Sequence, residues 1–145
     1  MPQRYLPLLM LIVAFIFCLK GCSESPKEQI IRENLEKLEA AIEDKEPIKA
    51  LGFIHPNFTS DKGADREWIK RTMALYSLRH DQINIIISNV LISAKDPHTM
   101  LAEFHALTTG GKGLLPEQGG LYQVHTQWRK EDGDWKLVYA KWKRG

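Results

Sequence analysis

The sequence predicts an α+β fold in which three N-terminal helices pack on a curved antiparallel sheet of about four strands. Three observations predict it. Between Pro26 and His80, apolar residues recur at spacings of three and four, the period of a helix with one buried face. After Asp81 the period falls to two, and isoleucine, valine and threonine become frequent, as in strands that turn one face to a core. Asp132-Gly133 then separates two alternating runs, a strong signal for a two-residue hairpin. Helices leading and a meander trailing place the helices on one face of the sheet.

The N-terminus carries an address. Arg4 precedes an apolar run from Leu6 to Leu19 that is broken only by Pro7. A membrane-spanning helix needs about 20 apolar residues, so this shorter run has the length of a signal-peptide core. It ends in Leu19-Lys20-Gly21-Cys22, which resembles the lipobox of bacterial lipoproteins; Leu19, Gly21 and Cys22 match that pattern and Lys20 departs from it. The resemblance implies that residues 1–21 are removed and that Cys22 is acylated. Residues 22–26 then form the lipidated cysteine and its tether, and residues 27–145 form the domain. More than one acyl chain is needed for a stable hold, since a single chain binds only marginally. Ser23, rather than an aspartate, after the cysteine implies the periplasmic face of the outer membrane in preference to the inner membrane.

Composition excludes several classes. Loss of Arg4 and Lys20 brings the 20 basic residues level with the 18 acidic ones. A chain with no net charge and no basic arm is a poor nucleic-acid binder. The cluster Lys141, Lys143 and Arg144 reads as a solvated last strand. Apolar content of 43% supplies a real core and rules out a disordered chain. Both cysteines, Cys18 and Cys22, precede the domain, which excludes a disulfide framework or a cysteine-based site within it.

Taken in order, Ile31, Leu35, Leu38 and Ile42 form the stripe of a first helix from Pro26 to Asp44. Pro47 opens a short second helix, in which Ile48, Leu51 and Ile54 face inward. His55-Pro56-Asn57 stops it, because a residue before proline avoids the α region. A loop through Asp61 and Gly63 follows. Asp65 caps a third helix, with Glu67 in its first turn and Ile69, Met73, Tyr76 and His80 on one face. Strands then span Gln82–Ser93, Thr99–Thr109, Gly120–Lys130 and Asp134–Lys143. One face of the second carries Met100, Ala102, Phe104 and Ala106; one face of the third carries Tyr122, Val124, Thr126 and Trp128.

These motifs carry a family resemblance. The segment His55-Pro56-Asn57-Phe58-Thr59-Ser60 follows a short helix, and the closing run extends from Trp128 through Glu131-Asp132-Gly133-Asp134-Trp135-Lys136-Leu137 to Trp142. Together they resemble the nuclear transport factor 2-like superfamily over nearly all of the domain. The resemblance implies a cone-shaped cavity between helices and sheet, and dimerisation through the outer sheet face. It is almost silent on function, because that scaffold hosts isomerases, dehydratases, cyclases, transport factors and inert binding domains.

Three sets of residues are candidates for function. Tyr76, His80, Tyr122 and Trp128 are the expected cavity liners, with the tyrosine hydroxyls as polar tips. Glu103, His105 and His125 fall on the other sheet face. A hairpin symmetric about Leu115 sets His105 opposite His125 and Glu103 opposite Gln127, neighbours close enough for a metal site. Without further ligands no metal is expected, and this face reads as a wet dimer interface or as solvent-exposed. The third is the Gly110–Gly120 connection with Leu114-Leu115 at its tip. It lacks the strand–loop–helix context of a phosphate cradle and reads as a flexible lid, dimer arm or docking finger. No motif implies a cofactor.

The inward strand faces carry no Asp, Glu or His, so the sequence reads as a non-catalytic, membrane-anchored homodimer. Its expected partner is a small apolar ligand or an envelope protein. The rivals are an isomerase or dehydratase acting on a small carbonyl compound, and an accessory lipoprotein of cell-envelope assembly.

Overall fold

A computed structural model describes residues 24–112 and 115–145, with backbone alone at 111–112 and 115–118. The signal segment, Cys22 and the Leu114 tip therefore lie outside the described residues. Helix α1 (Pro26–Glu43) starts where Ser25 accepts the Glu28 N–H at 3.3 Å, and proline occupies its first turn, where its missing N–H costs nothing. Ile31, Leu35 and Ala41 are its buried residues. Leu38 packs partly buried against the same cluster.

Helix α2 (Pro47–Leu51) buries Ala50 and Leu51. Ile48, expected to face inward, is 88% exposed instead. A five-residue helix makes little more than one turn, and Ala50 and Leu51 take its core contacts.

The sheet has five strands, one more than expected. Strand β1 (Ile54–Ser60) occupies the segment read as helix end and loop, and it runs parallel to the last strand. Ile54, Phe58 and Ser60 are buried. Pro56 donates no ladder hydrogen bond, which an edge strand tolerates, and β1 is the edge. Helix α3 (Arg66–Arg79) begins as expected, with the Asp65 carboxylate accepting the Trp68 N–H at 2.7 Å.

Strands β2 (Gln82–Asp96), β3 (Thr99–Lys112), β4 (Leu115–Glu131) and β5 (Asp134–Arg144) follow as an antiparallel meander, giving the order β1-β5-β4-β3-β2. The glycine-rich stretch, expected to be a long flexible connection, is mostly strand: β3 runs to Lys112 and β4 starts at Leu115. Asp132 and Gly133 take φ of 52° and 84°. Positive φ at both positions is what the twist of a tight hairpin requires. Asn89, at φ 54°, sits where the β2–β3 register shifts, and asparagine tolerates that bulge better than most residues.

The core lies between α1, α2 and the inner sheet face, with Trp128, Ile31 and Met100 its largest fully buried side chains. Among the described residues, no helix is long and apolar enough to cross a membrane.

Candidate ligand cavity

Side-chain size grades along the inner sheet face. At one end Trp128 sits opposite Met100, and both are buried. Toward the other end Phe104 gives way to Ala106, Thr108 and Gly110 on β3, and Thr108 faces Gly120 on β4. Bulk closes the first end and its absence opens the second.

There a cavity of about 240 Å³ lies between the α1–α2 turn, α3 and strands β2 to β4. Ala41, Ile42, Met73, Ile83 and Ile85 supply its apolar surface. Hydroxyls come from Tyr76 and Ser77 on α3, Thr108 on β3 and Tyr122 on β4. The charged liners, Lys45 and Glu46, sit on the turn, and Glu46 is already paired with Lys49 at 2.8 Å.

Of the expected liners, Tyr76 and Tyr122 are in the wall. Trp128 is not, because it is fully buried at the closed end. Its indole N–H donates to Thr126 Oγ1 at 3.0 Å, and that hydroxyl donates to the Ala102 carbonyl at 2.9 Å. Each polar atom in this buried chain has a partner, as a low-polarity surrounding demands.

His80 stands just behind the wall. It caps α3 in extended conformation and is 6% exposed, with its ring 4.6 Å from that of Tyr76. Gly110 makes room for it: a Cβ there would come within 3.1 Å of the imidazole. The His80 carbonyl accepts from Lys45 Nζ at 2.6 Å, fastening the α1–α2 turn to the end of α3. Among the described residues, His80 Nδ1 has no hydrogen-bond partner. Burying such a nitrogen unpaired is costly, which marks it as a position to explain.

The outer sheet face departs from the expected pairing. Glu103 faces His125, and His105 faces Gln123. Neither His105 with His125 nor Glu103 with Gln127 is a cross-strand pair, because β3 and β4 pair two residues away from that register. His125 Nδ1 lies 3.2 Å from Glu103 Oε1, while His105 Nδ1 is 3.1 Å from the Asn89 amide. The three residues of the expected cluster thus divide between two separate contacts. Along the same face Ile86, Leu107 and Leu121 lie directly across three strands and are 59%, 40% and 49% exposed.

Sequence reasoning missed a fourth feature, the buried His55. Its Nδ1 accepts the Asn57 N–H at 3.0 Å, so Nε2 carries the proton and donates to the Glu131 carboxylate. With both nitrogens engaged, His55 clamps β1 to the β4–β5 turn and has no free lone pair for acid–base work. The signal was the alternation Phe58, Ser60 against Asn57, Thr59, which Pro56 masked. The hydrogen bond from His55 is the main cause that holds the Glu131 carboxyl below the usual 4.5.

A lowered folded-state pKa contributes stability that is present above the unfolded value and lost as pH falls through the folded one. Urea midpoints of the wild type should therefore drop below about pH 4.5 more steeply than those of Glu131→Gln. Parallel curves between pH 6 and pH 2 would remove Glu131 from the acid response.

No family model matches the sequence, and no curated protein matches it. Solved structures do match. A nuclear transport factor 2-like protein of unknown function from Pseudomonas putida superposes with a TM-score of 0.69 at 15% identity, over 85% of this chain and 89% of that one. A provisionally named scytalone dehydratase from Novosphingobium aromaticivorans gives 0.70 at 13% identity, over 82% and 84%. A provisionally named dehydratase of the nuclear transport factor 2-like family from Streptomyces avermitilis gives 0.68 at 13% identity, over 81% and 95%. At such identities the likeness speaks for architecture alone. The strand order, the three helices and the cavity between them establish that this chain has the nuclear transport factor 2-like, cystatin-like α+β fold.

Proposed function

We propose that this chain is a membrane-anchored binding module of the bacterial envelope, held through acylated Cys22 on the periplasmic face of the outer membrane. Its cavity takes a small, largely apolar molecule bearing one polar group. The observation that carries the reading is the cavity wall: apolar side chains and hydroxyls surround it, and its carboxylate, Glu46, is engaged by Lys49. Such walls orient a ligand by one or two hydrogen bonds and hold it by burial. Proton transfer needs a positioned acid or base within about 3 Å of the reacting atom; among the described residues of the wall, Lys45 is bonded to the His80 carbonyl and Glu46 to Lys49.

A second reading, an isomerase or dehydratase for a small carbonyl compound, is favoured by His80 Nδ1, left unpaired beside Tyr76. In that reading Tyr76 would polarise the carbonyl and His80 would move the proton.

The test is mass analysis of small molecules released from the full chain purified out of its membrane, compared with Ser77→Phe. Ser77 is half-buried on α3 and lines the cavity, so a phenyl ring there fills the space while the core behind it stays intact. The wild type should release a bound molecule and the variant at least tenfold less. Equal release would place the ligand elsewhere. No release from either would favour the accessory role in envelope assembly, in which the surface alone matters.

A further inference from the structure

Helix α3 is built unlike α1 and α2, for none of its residues is buried. Ile69 and Met73 lean on the core, while the opposite face carries Arg71, Leu75 and Leu78 at spacings of four and three, which stacks them on one side. Leu78 is 86% exposed and Leu75 46%. Lys70 and Arg79, also exposed, flank that line. The helix holds four cations against one acid, Glu67, and Arg66 is turned inward to the carbonyls of Leu51 and Ile54. Ile48 on α2, which packs against α3, is also 88% exposed.

An outward leucine pair gains nothing from water, and cations beside it suit a lipid headgroup layer, where the leucines are buried and the cations meet phosphate. We propose that this face of α3 docks on an anionic bilayer surface. Charge complementarity selects that occupant. Lys70, Arg71 and Arg79 are exposed around the leucines with Glu67 the one acid of the helix, and anionic lipid attracts each of those cations. The proposal rests on the anchored reading above: acylated Cys22 keeps the domain at the bilayer, and α3 decides which face is laid down. Because α3 also supplies one wall of the cavity through Met73, Tyr76 and Ser77, docking sets that wall beside the lipid from which an apolar molecule would come.

The test uses the full acylated chain with Leu78→Cys carrying a polarity-sensitive fluorophore, reconstituted with vesicles of phosphatidylcholine alone or mixed with phosphatidylglycerol. Emission should shift to the blue only with phosphatidylglycerol, and Arg71→Gln should lower the docked-to-undocked ratio about fivefold, the effect of one cation near an anionic surface. A label at Glu36→Cys, exposed on α1, should not shift. An unshifted Leu78 label on phosphatidylglycerol vesicles overturns the docking. So does a shift without vesicles that grows with protein concentration, which would mean a second copy. Flotation with phosphatidylcholine vesicles reads the anchor separately: the wild type should float and Cys22→Ser should not. A wild type that fails to float or a Cys22→Ser chain that still floats overturns the anchor, and the Leu78 emission still decides the docking.

Discussion

Trp128→Ala is expected to destabilise the domain by about 3–5 kcal/mol, the usual cost of emptying a fully buried tryptophan site. Trp128 has no exposed surface and lies across from Met100 on β3 and Leu137 on β5, both buried. Ile31 and Leu35 of α1 belong to the same buried cluster, so packed side chains surround the emptied site. The polar part of the loss is small: Thr126 keeps its bond to the Ala102 carbonyl and loses only the indole donor. The cavity is the main term. With a total stability of about 5–15 kcal/mol for a single domain, the variant should be partly unfolded in mild urea. Trp128→Phe should recover much of the loss. Equilibrium urea unfolding followed by far-UV dichroism measures both, and a cost under about 1 kcal/mol would contradict the assignment of Trp128 to the core.

Much of this architecture is legible in the residues, for reasons that also explain the misses. The Ile31–Leu35 stripe, the Asp65 cap and the Asp132-Gly133 turn are local signals, and each is satisfied within a few residues of itself. Strand β1 is not local: it exists because β5 offers a parallel edge, and Pro56 argues against a strand until that edge is known. The β3–β4 pairing failed differently. Alternation assigns each side chain to a face, but sliding the hairpin by two residues preserves every face while exchanging partners. Glu103 and His125 accordingly stayed on the outer face yet met each other. The cavity was written in part in Thr108, while the room left by Gly110 and Gly120 is taken by the rings of His80 and Tyr122. Expecting Trp128 to line it overlooked that an indole fills the space a ligand would need.

Leu107→Asp is expected to separate the homodimer expected from the sequence while leaving the domain folded. Leu107 sits at the centre of the outward row Ile86–Leu107–Leu121, and it is 40% exposed in the single chain. In the monomer the change touches solvent, so its cost should stay within the ~1 kcal/mol span of strand propensities. Across a dimer interface the same carboxylate would lose water without gaining a partner. A buried unpaired charge of that kind costs about 2–5 kcal/mol, which weakens association by roughly 30- to 5,000-fold. Sedimentation velocity across a concentration series decides the matter. A wild type that stays monomeric sinks the homodimer, and a Leu107→Asp chain that still pairs moves the interface off this sheet face.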